Sequence, residues 1–389
     1  MRGVTLASLR RRTSSGRFIP QIDGLRFIAI TLVVMLHLQN GLAVTPHSPL
    51  RGQLATSVIT PWVGQMNTGV PLFFMISGFI LAVPFATHAL KNGPAVSLRA
   101  YYWRRVTRLE PPYIISLVLF FVLRGLHDGG HFQPLLPHLA AGLFYLHGVI
   151  YDAGNPINWV TWSLEVEVQF YLLFPLIAMV YLMPGRRLRR GILVVSALAF
   201  AIASQTGLLA DPVFLPMWLP YFLTGMLIAD IFIADWGGEP RVSRLADVLG
   251  VLAWVGFALV LPHKDIHPLV LPVLFGAGMF TALSGARLRG MFAVPVITTI
   301  GGMCYSIYLL HYWLLEACAH ALGPLVVRLP SYDVAYIVSL VLLAPVVLLV
   351  CGAYFVLIER PCMDRHWPER LAAAVRDRLT VRGATGNLP

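Results

Sequence analysis

The chain has 389 residues, of which 57% are hydrophobic and only 12% are charged. A soluble globular protein of this size would need more polar side chains to cover its surface, and the mean hydropathy of +0.73 agrees. The net charge of +11 would suit a nucleic-acid-binding protein, but the arginines occur in short clusters between apolar segments. The composition therefore indicates a polytopic membrane protein. The four cysteines include no CxxC pair and the loop histidines lack ligand spacing, so neither disulfides nor a metal is expected.

Apolar segments of about 20 residues are long enough to cross a bilayer as helices. A further apolar segment, at residues 137–150, is short and contains His138 and His147. Its length predicts one re-entrant or interfacial helix. Ten segments are predicted to cross, at residues 23–43, 69–87, 111–125, 165–183, 191–209, 213–233, 245–261, 269–285, 301–321 and 334–358.

Arginine and lysine collect on the cytoplasmic side of short loops. If the basic N-terminus is inside, the basic loops at 99–108, 186–190, 241–244 and 287–289 also fall inside, provided that 137–150 does not cross. We therefore predict an all-α integral membrane bundle of about ten transmembrane helices with both termini cytoplasmic. Its parts are a basic N-terminal segment (1–20), a transmembrane domain (21–361) and a basic C-terminal tail (362–389).

The first predicted helix contains two residues that are costly inside a membrane, Arg26 and His37. Eleven residues at 1.5 Å each place them about 16 Å apart along the helix, with Arg26 at the cytoplasmic mouth. One residue could hold an anion while the other transfers a proton. An equally weighted interpretation is that Arg26 follows the positive-inside rule and His37 bonds a neighbouring helix.

The second predicted helix contains Ser77 and Gly78, small residues that let helices or a ligand approach closely. Arg105 and Arg108 follow, three residues apart on one face of a predicted short helix before Pro111. Two guanidinium groups so placed could grip the phosphates of a nucleotide or of coenzyme A. For an isolated basic loop, binding of anionic lipid headgroups is the more common explanation.

Two later helices also begin with polar groups. Glu165 and Glu167 open the fourth predicted helix and point in different directions, so that one can face the bundle and the other its aqueous mouth. The helix dipole alone would stabilise a carboxylate there. Tyr308 and His311 share a face of the ninth predicted helix, with Tyr305 one step further back, and all three could simply be packing residues.

These residues occur in an ordered series of motifs, and the chain resembles the type 3 acyltransferases, bacterial inner-membrane enzymes that O-acylate carbohydrates. The resemblance extends from Ile22 to about Pro361. Where the family often has Glu-Glu-Gln, this chain has Glu167-Val168-Gln169, and Glu165 stands where a small residue is usual. The motifs are Asp23-Gly-Leu-Arg26 with His37, Phe73-Phe-Met-Ile-Ser77-Gly-Phe79, Arg105 with Arg108, Trp162-Ser163-Leu-x-x-Glu167 with Phe170-Tyr171, Tyr305-Ser-Ile-Tyr308-Leu-Leu-His311 and Glu359-Arg-Pro361.

The resemblance implies transfer of an acyl group, with acetyl expected, from acyl-CoA to a hydroxyl of lipopolysaccharide, exopolysaccharide or another cell-surface glycan. Arg26 and His37 would be the catalytic pair with Glu167 beside them, and Arg105 and Arg108 would bind the donor. No bound cofactor is implied. Candidate supporting residues are Asp23, Ser77, Trp162, Ser163, Glu165, Tyr171, Tyr305, Tyr308 and His311.

Three questions stay open from the sequence. Arg26 could anchor the donor or stabilise oxyanion charge, and the acyl group could pass directly or through an acyl-histidine. A transporter or flippase would use buried Arg26, His37 and Glu167 as a proton or substrate path, and would not depend on coenzyme A. A non-enzymatic assembly partner is less favoured because all the ionisable motif positions are present.

Overall fold

A computed structural model describes residues 11, 18–44 and 50–373. The described chain is helical and forms no sheet beyond one isolated bridge between Ser243 and Gly285. The predictions for the basic N-terminal segment and for the end of the tail lie largely outside the described residues. The long helices are α1 (Pro20–Gln39), α2 (Gly69–Lys91), α3 (Leu98–His127), α4 (Trp162–Ile177), α5 (Arg186–Gln205), α6 (Leu215–Ala234), α7 (Arg244–Val260), α8 (His267–Ser284), α9 (Cys304–Val326) and α10 (Tyr332–Tyr354).

Several short helices connect or extend the long ones. Two of them follow α10 directly and supply residues to the cavity described below. They are the π-helical turn Phe355–Glu359 and the helix Arg360–Cys362. The other short α-helices are Thr60–Val63, Leu136–Leu143, His147–Tyr151, Leu288–Met291 and Pro295–Gly302, and the remaining turns are the π-helical Asn40–Val44 and the 3₁₀ segments Arg51–Thr56, Met66–Thr68, Gln133–Leu135, Trp159–Thr161, Ala178–Leu182 and Lys264–Ile266.

These helices confirm that the chain is a multi-pass membrane protein. Each predicted crossing corresponds to one long helix, and eight helices in the described residues are long and apolar enough to span a membrane. The other two are α7, which has 17 residues, and α9, which carries His311, Glu316 and His320. The count of ten crossings and the cytoplasmic termini therefore stay predictions.

Two local predictions differ from the structure. Residues 137–150 form two short helices, Leu136–Leu143 and His147–Tyr151, rather than one, because Tyr145 adopts a positive φ of 57° between them. The predicted short helix before Pro111 is instead continuous with the third membrane helix, α3. The adjacent Pro112 ends no helix here, although proline removes a backbone donor. Arg105 and Arg108 are therefore fixed to a membrane-crossing helix.

Helix α1 lies in the interior of the bundle, where it packs against α2, α9, α10 and the helix Pro295–Gly302. Close contact there requires glycine, because a Cβ on Gly301 would lie 1.8 Å from the carbonyl oxygen of Asp23. Helix α5, by contrast, exposes half of its residues, including Val195 and Leu198. Exposed apolar side chains of this kind face lipid in a membrane protein. Arg26 and His37 thus stand on an interior helix.

Helices α2 and α6 approach each other through two glycines, as the small residues of α2 predict. A Cβ on Gly78 would lie 2.2 Å from the carbonyl oxygen of Phe222, and a Cβ on Gly225 would lie 2.1 Å from that of Met75. Both obstacles are backbone atoms, which cannot turn aside as a side chain could. This contact fixes the helix that carries Ser77.

We expect Gly225→Ala to destabilise the protein by about 1–3 kcal/mol, because the added methyl group forces α2 and α6 apart. Thermal unfolding of purified protein in detergent measures the change. Gly191→Ala is the matched control, since Gly191 lies in α5 and a Cβ added there would meet no described atom within 4 Å. Equal stability of the two variants would contradict the close helix contact.

Candidate active site

A cavity of about 370 Å³ opens at the end of the bundle that the charge pattern assigns to the cytoplasm. Side chains from α1, α2, α3, α4 and α9 line it, together with residues that follow α10. Most of the residues singled out from the sequence therefore meet in one place. Those that line the cavity are Arg26, Ser77, Arg105, Arg108, Ser163, Glu167, Tyr171, Tyr305 and Tyr308.

Arg26 is oriented by Asp23, one turn earlier on α1. Its Nη1 atom lies 3.0 Å from Asp23 Oδ1, and Asp23 itself is fully buried. The same carboxylate accepts a hydrogen bond of 2.8 Å from Nε of Arg11, which also lines the cavity. Asp23 thus positions two guanidinium groups at the wall of the cavity, and its own charge is compensated.

Arg105 and Arg108 lie on the same wall, as their spacing predicts. Arg105 donates from Nη1 to the carbonyl oxygen of Tyr101 at 2.6 Å, and its guanidinium stands over the Tyr101 ring. The Nε atoms of both arginines are buried without a hydrogen-bond partner in the described residues. Buried donors without partners are costly, so an anion that accepted their hydrogen bonds would be stabilised here.

The cavity as a whole carries an excess of positive charge. Six arginines line it against two glutamates, Glu167 and Glu359. Such a surface attracts and holds anionic ligands with several phosphates. The six arginines are Arg11, Arg26, Arg104, Arg105, Arg108 and Arg365.

The two carboxylates at the start of α4 point in different directions, in agreement with their spacing. Glu167 lines the cavity and accepts a hydrogen bond of 2.5 Å from Ser77 Oγ. Glu165 is buried elsewhere and accepts a hydrogen bond from the backbone N–H of Gly148, in the short helix His147–Tyr151. Glu165 therefore supports the segment next to the N-terminal end of α4 and is not a second acid in the cavity. Trp162 lies outside the cavity lining and packs against Trp218.

His37 and His311 form a pair on α1 and α9. His311 Nδ1 lies 2.9 Å and 2.8 Å from the carbonyl oxygens of Ile307 and Tyr308, so the neutral ring carries its proton on Nδ1. Its Nε2 atom is then an acceptor and lies 3.1 Å from Nδ1 of His37. Nδ1 of His37 also lies 2.9 Å from the carbonyl oxygen of Val33, so it is the donor. This network leaves the lone pair of His37 on Nε2, where it can accept a proton.

His37 is not among the residues that line the cavity, which the sequence did not predict. Tyr308 lines the cavity one helical turn before His311, and its ring centre lies 6.0 Å from that of His311. Its hydroxyl group is 2.7 Å from Ser163 Oγ and also bonds the carbonyl oxygen of Val160. Tyr308 and Ser163 therefore stand between the cavity and the histidine pair.

We expect His311→Leu to lower the acyl transfer that the motif resemblance predicts by about tenfold, because loss of one hydrogen bond to a polar partner costs on the order of 1 kcal/mol and frees the other tautomer of His37. His311→Gln keeps an acceptor near Nδ1 of His37 and is expected to recover most of that loss. Turnover measured across a pH range at equal protein abundance tests this. If both variants lost activity equally with an unchanged pH profile, His311 would be a packing residue only.

Several polar residues of the cavity were not selected as site residues from the sequence, and Arg11 and Glu359 are two of them. Arg11 looked only like part of the basic N-terminus, and nothing in its local pattern indicates a contact with Asp23. Glu359 had a signal in the Glu359-Arg-Pro361 motif, and its buried carboxylate accepts hydrogen bonds from the backbone N–H and Oγ of Ser306. No group of three or more His, Cys, Asp or Glu residues in the described chain could hold a metal, and the absence of a metal stays a prediction.

A family profile described as an acyltransferase domain matches residues 19–356, a range that includes α1 to α10. The chain belongs to the type 3 acyltransferase family, as its motifs predict. The peptidoglycan O-acetyltransferase OatA of Listeria monocytogenes is 24% identical over 329 residues, which cover 77% of this chain and 49% of that protein. No solved structure matches the chain.

Two other relatives are matched over almost their whole length. The exopolysaccharide production protein ExoZ of Rhizobium meliloti is 27% identical over 80% of this chain and 93% of its own. The acyltransferase MdmB of Streptomyces mycarofaciens is 25% identical over 93% of this chain and 96% of its own. The chain spans about half the length of OatA and of YrhL from Bacillus subtilis. The relatives thus match most of this chain and differ in their named roles.

Proposed function

We propose that the chain is an O-acyltransferase of the bacterial cytoplasmic membrane that transfers an acyl group, acetyl in the simplest case, from acyl-CoA to a carbohydrate hydroxyl. The observation that carries the proposal is an arginine-lined cavity whose inner wall, at Tyr308, lies one helical turn from a histidine pair. A phosphate-binding entrance and a proton acceptor are the two parts that this reaction requires.

The donor enters from the cytoplasm in this mechanism. Its phosphates bind Arg105 and Arg108, whose buried Nε atoms have no partner in the described chain. The pantetheine arm then extends inward past Ser77 and Glu167 toward Tyr308. Movement of the Tyr308 side chain away from Ser163 opens the way from the cavity to His37.

The chemical step follows from the tautomer of His37. Its Nε2 atom takes the proton of the acceptor hydroxyl as the hydroxyl oxygen attacks the thioester carbonyl carbon. The carbon–sulfur bond breaks, the acyl group stays on the oxygen, and the proton passes from His37 to the leaving thiolate. Arg26, held by Asp23, is placed to stabilise negative charge on the donor side.

The acceptor class is taken from the relatives and from the position of His37. OatA is named for peptidoglycan and ExoZ for exopolysaccharide production, which supports a cell-surface carbohydrate as acceptor. His37 lies eleven residues beyond Arg26 toward the opposite end of α1, so the acceptor reaches it from the outer face.

Membranes that contain the parent chain or His37→Ala at equal abundance test the proposal. With radiolabelled acetyl-CoA, the parent is expected to place alkali-labile label in the extractable saccharide fraction, because an O-acyl ester forms there. The proposal would be contradicted if membranes with and without the chain placed the same amount of label in the saccharide fraction. Movement of a glycan without consumption of acyl-CoA would favour the transporter or flippase.

A further inference from the structure

The chain that follows α10 docks on α3 beside the main, arginine-lined cavity. The indole N–H of Trp367 donates a hydrogen bond of 2.9 Å to the carbonyl oxygen of Thr107. Within α3 that oxygen would accept from the backbone N–H four residues later, but the residue there is Pro111, which has none. Pro111 therefore leaves an acceptor on α3 for Trp367, and this hydrogen bond holds the segment against the helix.

The docked segment adds an arginine to the cavity, next to those of α3. Arg365 lies two residues before Trp367, and it lines the cavity together with Arg104 of α3. Arg104 and Arg108 are four residues apart, so they share a face of this helix. Arg104 and Arg365 are exposed, whereas Arg108 is half-buried. The two exposed arginines therefore stand where the cavity meets water, and Arg108 lies further inside.

No carboxylate of the described chain forms an ion pair with either exposed arginine. Arg104 donates from Nε to the carbonyl oxygen of Ala100 at 3.3 Å, and its terminal N–H groups have no partner in the described residues. Arg365 makes no hydrogen bond or ion pair to any described residue. The carboxylates of the cavity, Glu167 and Glu359, accept hydrogen bonds from serines instead. Two such guanidinium groups favour an anion with several acceptor oxygens, such as a phosphate monoester.

We infer that Arg104 and Arg365 form a second phosphate subsite, which binds the 3′-phosphate on the ribose of the coenzyme A donor. This inference rests on the proposed function. A donor that points its thioester inward carries its groups in a fixed order, with the pantetheine arm first, then the diphosphate, and last the ribose with its 3′-phosphate. The half-buried Arg105 and Arg108 meet the diphosphate, and the exposed arginines meet the ribose phosphate.

The headgroup phosphate of an anionic lipid has the same chemistry as a ribose phosphate and is the other source of an anion here. The two sources differ in the binding that they predict. A lipid site would be indifferent to the 3′-phosphate of the donor, whereas the inferred subsite distinguishes coenzyme A from 3′-dephospho-coenzyme A.

Equilibrium binding of these two ligands to purified protein at low ionic strength tests the inference. We expect the parent to bind coenzyme A about tenfold more tightly than 3′-dephospho-coenzyme A, because each exposed ion pair contributes about threefold. Arg365→Gln is expected to weaken binding of coenzyme A by about threefold and to leave binding of 3′-dephospho-coenzyme A unchanged. Arg287→Gln, exposed in another basic loop and outside the cavity, is the control and is expected to bind both ligands as the parent does.

Trp367→Phe tests the docking separately, because it removes the indole N–H and keeps an aromatic ring. We expect it to lower the preference for coenzyme A, as Arg365→Gln does. Equal binding of the two ligands by the parent, or equal weakening of both by Arg365→Gln, would overturn the inference and leave the proposed function standing. Failure of the parent to bind either ligand would contradict the proposed function as well.

Discussion

His37→Ala is expected to reduce acyl transfer by about 10²–10⁴-fold, the usual contribution of a positioned general base. In the histidine pair, the lone pair of His311 on Nε2 faces Nδ1 of His37, and that Nδ1 atom also faces the carbonyl oxygen of Val33. The lone pair of His37 on Nε2 is therefore the one in the pair that is left to accept a proton. Donor affinity is expected to persist, because His37 does not line the donor cavity. Initial rates and equilibrium binding of coenzyme A to purified protein measure the two quantities separately.

His320→Ala is the matched control for this variant. His320 lies on α9, like His311, but is exposed to the surroundings of the bundle. We expect it to retain the parent rate. Equal rates for His37→Ala and the parent would remove His37 from the mechanism, and a loss of coenzyme A binding together with activity would assign it to donor binding.

Arg108→Gln is expected to raise the KM for acyl-CoA by about 10–100-fold with a smaller effect on kcat, because a hydrogen bond to a charged phosphate contributes about 1.5–3 kcal/mol. Arg108 lines the main cavity, and its buried Nε atom has no hydrogen-bond partner in the described residues. The substitution therefore removes a hydrogen bond to the bound donor and none within the described protein. Steady-state kinetics over a range of donor concentrations measure the two constants.

Arg187→Gln removes an equal charge from the same predicted side of the membrane and serves as the control. Arg187 is exposed at the start of α5 and does not line the cavity. A uniform attraction of the donor to positive charge would raise KM in both variants. A change confined to Arg108 supports a specific phosphate contact, and an unchanged KM in Arg108→Gln would contradict it.

The helices could be predicted from the sequence because long apolar segments leave the backbone few alternatives in a membrane. The residues at which these helices begin and end were harder to predict from the sequence. The sequence predicted a separate short helix before Pro111, yet α3 runs through Pro111 and Pro112 from Leu98 to His127. The short helices near 137–150 depend on the positive φ of Tyr145, a backbone conformation that tyrosine rarely adopts and that no local pattern indicates.

The sequence could predict the parts of the candidate site in which one helix carries both residues. The spacing of Arg105 and Arg108 predicted a shared face, and both line the cavity. Contacts between separate segments could not be predicted from the sequence, and the Arg11–Asp23 ion pair is an example. The contact between His37 and His311 joins residues 274 positions apart, so helix periodicity carries no information about it.

The most direct test of the proposed mechanism places donor and acceptor on opposite sides of a membrane. Sealed vesicles with the chain in one orientation would receive labelled acetyl-CoA on the side of the arginine-lined cavity and enclose cell-wall saccharide on the other. The mechanism predicts label on the enclosed saccharide and none when the donor is supplied only on the saccharide side. Equal labelling from either side, or labelling that is unchanged in His37→Ala, would contradict it.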